Sequence, residues 1–154
     1  MPHADRAGAI APPPLIYAAV FAVGYALDRC YPVLLRSDAS AAWLGWAIFA
    51  AGLGVLALGG AYLNRAGTPV NPYRPSTTLV TAGPYRYSRN PLYVALTLAY
   101  LGTAVVVNTA WPLMLLPGLL LLMQWGVISR EERYLERKFG DEYRRYQAHV
   151  RRWL

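Results

Sequence analysis

Gly83-Pro-Tyr-Arg-Tyr-Ser-Arg-Asn-Pro-Leu-Tyr93 lies where a polar, proline-rich loop runs into a long apolar segment. It holds two arginines and three tyrosines. Pro91 suits the first turn of a helix, and Asn90 before it suits the cap. No other stretch between Leu15 and Ile128 sets so much hydrogen-bonding chemistry beside so much apolar sequence. It reads as the lip of a binding site at a membrane surface.

Downstream, the apolar segment runs to about Val107, and Asn108-Thr109 reads as a tight turn. Trp111-Pro112 opens a further apolar segment to about Ile128, with Pro117 predicted to kink it. So short a connection forces the two segments, 91–107 and 111–128, into an antiparallel hairpin. After Ser129 the chain turns charged, breaks at Gly140 and resumes to about Val150. Tyr134, Leu135, Phe139, Tyr143 and Tyr146 give this tail one aromatic and apolar stripe, which suits an amphipathic helix on headgroups or, through Tyr134, Phe139 and Tyr143, a cap that shields a bound ligand from water.

Upstream, residues 64–90 contain prolines at 69, 72, 75 and 84, which forbid a continuous helix. A connection of that length usually carries function. A span over about 41–63 precedes it, bracketed by Trp43, Trp46 and Tyr62 and rich in glycine and alanine. Pairs such as Ala50 and Gly54 share a face, and small residues at that spacing allow close helix pairing, including in a homo-oligomer. The first apolar segment covers about 15–35, where Asp28 and Arg29 are expected to pair near the far interface. Residues 1–14 end in Pro12-Pro13-Pro14 and lack a signal-peptide pattern.

Hydrophobic residues make up 56% of the 154 residues and charged residues 15%, well below the roughly 25% usual for soluble proteins. The expected fold is an all-α integral membrane protein in one domain over 1–154. It has about four transmembrane helices, a C-terminal helical hairpin and amphipathic cytoplasmic tail helices at 129–150. The net charge of +7 points to lipid headgroups rather than nucleic acid, because the arginines flank apolar spans. Cys30 alone makes no internal disulfide, and His3 and His149 are too few and too far apart to suggest a metal site. With four spans, thirteen basic residues fall on the side of the termini and two, Arg29 and Arg36, on the other. Both termini are therefore expected in the cytoplasm, in a bacterial inner membrane.

The hairpin places residues 91 and 128 at one surface. Glu131 and Glu132 are thus expected beside Tyr85, Asn90 and Tyr93. Carboxylates, phenols and an amide suit a polar ligand with amine and hydroxyl donors and a positive centre. No dinucleotide fingerprint, P-loop or histidine-activated nucleophile is present.

The stretch 83–93, then a hairpin, then Glu131-Glu132-x-x-Leu135-x-x-x-Phe139-Gly140-x-Glu142-Tyr143-x-x-Tyr146, resembles the isoprenylcysteine carboxyl methyltransferase and phospholipid methyltransferase superfamily. Its pattern is Gly-x-Tyr-x-x-x-Arg-His-Pro-x-Tyr, followed by Glu-Glu-x-x-Leu-x-x-x-Phe-Gly-x-x-Tyr. The resemblance covers about 67–153 and implies a membrane enzyme that uses S-adenosylmethionine. It assigns cofactor contacts to the backbone of Thr77, Thr78, Leu79 and Val80, to Tyr85, and to Asn90, Pro91, Leu92 and Tyr93. Arg89, Glu131 and Glu132 complete the set, with Arg89 also expected to pair with Glu131 or Glu132. Asn90 stands in the histidine's place and keeps a donor and an acceptor without a titrating ring. Asn90, Tyr93 and Glu131 are the candidate catalytic residues, with Tyr93, Glu131 or water taking any proton. Where prenylcysteine enzymes carry an arginine one turn before the glutamates, this chain has Val127. With Met123 nearby, that points to a lipophilic or uncharged small-molecule or lipid acceptor, entering from the bilayer while the cofactor enters from the cytoplasm. Two other readings stay open. One is a membrane reductase using NADPH, with Arg86, Arg89 and Arg130 at the phosphates; the other is a non-catalytic scaffold or carrier.

Overall fold

A run of apolar residues in lipid has no water for its backbone amides, so it satisfies them within helices. The computed structural model describes residues 10–36, 42–70 and 74–154. Ala41, His3, Arg6 and Pro72 lie outside the described residues. The described helices are α1 (Pro13–Cys30), α2 (Ala42–Arg65), α3 (Pro91–Val107), α4 (Trp111–Met123), α5 (Ser129–Phe139) and α6 (Asp141–His149). A 3-10 turn, Gly83–Arg86, precedes α3. A single π-turn, Gln124–Ile128, joins α4 to α5 without a break.

Among the described residues, two helices are long and apolar enough to cross a membrane: Ala42–Arg65 and the continuous rod Trp111–Phe139. Pro91–Val107 is apolar but shorter. The first helix is displaced from its expected bounds. It begins at Pro13, since a proline costs nothing at a first turn, and ends at Cys30 rather than near Leu35. Pro32 explains the stop, because the residue before a proline is pushed out of the helical region; Tyr31 has φ −135° and ψ 82°. Asp28 does not pair with Arg29, since neighbours in a helix do not face each other. Its carboxylate instead accepts the Val33 N–H at 3.1 Å. Helix α4 runs unbroken through Pro117, and the departure from α geometry comes later, in the π-turn.

Helices α2 and α3 make the most extensive contact, with α1 against α4 next. Gly45, Gly52 and Gly59 recur every seven residues on α2, and all are buried. A Cβ at Gly52 would lie 2.8 Å from the Ala95 carbonyl oxygen, and one at Gly102 would lie 2.5 Å from the Phe49 nitrogen. The backbones touch because no side chain separates them. The small-residue pairing expected on α2 is therefore used within the chain, by a different face. Ala50 and Gly54 are exposed on the other side. The core gathers Ile16, Tyr17, Tyr93, Tyr100, Leu119 and Met123 between α1, α3 and α4.

At the far end, residues 31–36 run against the turn between α3 and α4. Ala110 donates to the Val33 carbonyl at 2.8 Å and Trp111 Nε1 to the Tyr31 carbonyl at 2.7 Å. Asn108 takes the left-handed conformation (φ 60°, ψ 44°) that the tight turn requires, and its side chain accepts the Arg36 N–H at 3.0 Å. Helices α1 and α3 thus start, and α2 ends, at the opposite end of the bundle.

Gly52→Leu is expected to destabilise the detergent-solubilised protein by about 1–3 kcal/mol, because the new side chain meets backbone that cannot yield. Gly54→Leu, where a Cβ would meet nothing within 4 Å, should change the melting temperature little. Equal shifts in thermal unfolding would refute the assigned α2–α3 contact.

Candidate active site

A cavity of about 490 Å³ opens where α1 begins, α2 ends and α3 begins, with α5 on its polar side and α6 over it. That volume is within the usual range for a small-molecule site. One wall is apolar: Pro12, Pro13, Leu56, Leu63 and Leu96. The other carries Tyr85, Arg89, Tyr93, Glu131 and Glu132.

The two glutamates are consecutive on α5, so their side chains diverge by roughly 100°. Glu132 turns into protein. Arg152 holds it through Nε at 2.9 Å and a terminal nitrogen at 2.5 Å, and Arg89 adds a third contact at 3.2 Å. Glu131 turns to the cavity. Its Oε2 accepts the Tyr93 hydroxyl at 2.7 Å, and no arginine or lysine among the described residues forms an ion pair with it. One carboxylate is thus saturated and the other is left with a neutral donor.

The Tyr85 hydroxyl is buried against the cavity with no hydrogen-bond partner among the described residues. Burial first, then the charge of Glu131, holds its pKa well above the ordinary phenol value. It therefore stays protonated and can donate to a ligand. Tyr143 is pushed up to about 12, chiefly by burial and then by Glu132. Tyr146 is also raised, and its hydroxyl donates to the Tyr85 carbonyl at 2.6 Å. The aromatic stripe of the tail is accordingly a roof over the lip, not a face for headgroups. Tyr134 extends it by accepting the Ser76 N–H at 3.1 Å.

Gly83 begins the lip with φ 61°, and a Cβ there would lie 2.5 Å from the Tyr62 ring, so only glycine fits. The last residues of the chain then run along the lip. Arg89 N–H donates to the Arg151 carbonyl at 2.9 Å, while Ser88 Oγ and Asn90 Nδ2 donate to the Arg152 carbonyl at 3.3 and 2.9 Å. Trp153 Nε1 reaches Gln124 Oε1 at 3.3 Å. The Asn90 side chain consequently makes no cap bond to α3, contrary to expectation, although the residue holds the cap position.

Before the lip, the Thr68 hydroxyl donates to the Thr78 carbonyl and accepts the Thr78 N–H, both at 3.1 Å. Thr77 is tied to the Gly67 carbonyl at 2.9 Å and does not line the cavity. Thr78, Leu79 and Val80 do line it. The backbone of Leu79 and Val80 makes no hydrogen bond to another described residue. Asn90, Pro91 and Leu92 also face the cavity.

Met123 and Val127 do not reach it. Both are fully buried in the core, so the apolar wall is built by Leu56, Leu63 and Leu96 instead. Of the three arginines considered for phosphates, only Arg89 lines the cavity, and it is committed to Glu132. Sequence reasoning missed Arg152, Thr68 and the proline wall. Nothing local marks Arg152, and its role follows only from where the chain end folds back.

Residues 40–142 match the family described as Phospholipid methyltransferase. The chain belongs to that family. Members of that family are membrane methyltransferases. The chain is also 78% identical over 27 residues to an uncharacterized protein of Haemophilus influenzae, a stretch amounting to 18% of this chain and 43% of that protein. The match therefore spans less than half of that relative's length. No solved structure matches.

Tyr146→Phe leaves the Tyr85 carbonyl without its donor. It is expected to cost about 1–3 kcal/mol in thermal unfolding, whereas Tyr87→Phe, at an exposed position, should be silent.

Proposed function

We propose that the chain is a single-domain, four-span membrane enzyme that transfers methyl from S-adenosylmethionine to a lipophilic acceptor at O, N or S. Both termini would be cytoplasmic, as the thirteen-to-two distribution of basic residues favours. The observation that carries the reading is Glu131: a carboxylate in a largely apolar cavity, with a tyrosine but no cation beside it. Leaving such a charge uncompensated is costly, so the cavity suits a ligand that brings positive charge. S-adenosylmethionine fits that demand, and the family generally uses it.

The residues present match the rest of such a ligand. The free Tyr85 hydroxyl and the unbonded backbone of Leu79 and Val80 offer the polar contacts, beside Arg89, Asn90, Pro91, Leu92, Tyr93 and Thr78. Glu132 contributes by holding Arg89 and Arg152 in place. When bound, S-adenosylmethionine supplies an electrophilic methyl group on a sulfonium sulfur. The chain's own part is to hold the reactants together and to keep water out, with Tyr134, Tyr143 and Tyr146 as cover. Tyr93 fixes the orientation of the Glu131 carboxylate. Where the acceptor atom carries a proton, that carboxylate or a water takes it. The reductase reading loses support because Arg86 and Arg130 do not line the cavity and Arg89 is already paired.

Calorimetry on the detergent-purified protein tests this. S-adenosylhomocysteine should bind and NADPH should not. Glu131→Gln should weaken S-adenosylhomocysteine about tenfold or more, the scale of a charged hydrogen bond, while Glu136→Gln should leave it unchanged. Equal effects of the two substitutions would sink the role given to Glu131, and NADPH binding in its place would move the protein to the reductase class.

A further inference from the structure

A second concavity, a groove of about 600 Å³, lies between α1 and α3 and is not part of the site above. It meets the first cavity at Leu96, which lines both. From there it runs to Tyr25 on α1 and Val107 on α3, two exposed residues near the far end of the bundle. The eleven residue steps from Leu96 to Val107 rise about 16 Å, close to the depth of one leaflet of a roughly 30 Å hydrocarbon core. Helix α1 scarcely touches α2, so the groove is open sideways along this length.

The groove is held open by fixed groups. Tyr17, Phe21 and Tyr100 stack edge to face, with ring centroids 6.1 and 5.4 Å apart. The Tyr100 hydroxyl is pinned to the Pro112 carbonyl at 2.8 Å, and the Tyr17 hydroxyl is bonded to Thr97 at 2.8 Å. Beside the rings, the small side chains Ala18, Ala22 and Ala99 also line the groove. A groove lined by pinned rings with small alanine side chains beside them suits a slender apolar chain, and its lining contains no charged residue to repel one.

We propose that this groove binds the single hydrocarbon chain of the methyl acceptor, with the polar head at the Leu96 end beside Tyr93 and Glu131. The proposal rests on the methyltransferase reading of the cavity. It narrows the acceptor to a single-chain amphiphile lying along α1 and α3. The continuity of groove and cavity at Leu96 is the argument for this occupant. A bulk lipid has no reason to place its head in the cavity, whereas an acceptor must place its nucleophile there.

The test uses the full chain in phosphatidylcholine vesicles with a trace of long-chain primary amine carrying a diazirine at its chain end. On irradiation, adducts should concentrate at Tyr25, Thr103 and Val107. Ala22→Phe, or Ala18→Phe if the first variant does not fold, should abolish those adducts. S-adenosylhomocysteine affinity should stay at the wild-type value in either variant. Adducts spread evenly over Leu53, Leu58 and Leu121 on the exposed faces of α2 and α4 would overturn the proposal. So would equal labelling of the groove by a diazirine-bearing phosphatidylcholine, because the occupant would then be bulk lipid. Groove labelling in a protein that fails to bind S-adenosylhomocysteine would fall on the cofactor reading and leave the chain site standing.

Discussion

Glu132 is the side chain on which the site depends. A buried carboxylate costs several kcal/mol unless it is paired and hydrogen-bonded. Here three contacts from two arginines meet that cost, and the arginines come from the lip and from the chain end. One carboxylate therefore ties residue 89, the start of α5 and residue 152 into a single body. The consequence for chemistry is indirect. Because Glu132 takes both arginines, Glu131, one residue earlier and about 100° around the helix, is left without an ion-pair partner among the described residues, and burial raises its carboxyl pKa.

The tail follows the same logic. Its stripe of Tyr134, Tyr143 and Tyr146 has the composition of a helix that rests on headgroups, yet all three are buried against the lip and loop. The reason is polar. The Tyr134 and Tyr146 hydroxyls have specific partners in the structure, which a headgroup layer would replace only with water and phosphate. Gly140, at φ 52°, turns the chain so that α6 can lie back over the cavity. Beyond it, Arg151 and Arg152 offer carbonyls to Arg89, Ser88 and Asn90, so the roof ends in a strap.

Much of this was legible in the sequence, and the limits have physical causes. The Asn108 turn, the break at Gly140 and the meeting of Tyr93 with Glu131 followed from local turn chemistry and chain topology. Those signals are short-range or geometric. The face by which α2 packs was not legible, since small residues occur all round that helix and only the partner decides between Gly52 and Gly54. The π-turn at 124–128 leaves no compositional mark. Val127 and Met123 looked available to an acceptor because spacing gives the face of a helix but not what covers it. Arg152 was invisible as a site residue for the same reason that Arg89 was visible: one lies in a motif, the other in an ordinary charged tail.

Asn90 is the departure that most favoured a non-catalytic protein, and its geometry weakens that inference. The side chain does one identifiable thing: Nδ2 donates to the Arg152 carbonyl and so joins the lip to the strap. A neutral imidazole can make the same donation from one ring nitrogen, and the bond asks for no titration. Replacing histidine by asparagine therefore preserves the contact seen here while removing only a proton-accepting nitrogen. On the proposed reading that loss is tolerable, because the cavity already contains a stronger candidate acceptor in the Glu131 carboxylate. A protein that served only as a scaffold would also have no use for that carboxylate. Glutamine at 131 could accept the Tyr93 hydroxyl equally well and would spare the cost of an uncompensated charge in an apolar cavity. The retained carboxyl group, rather than the missing imidazole, is the feature that bears on function.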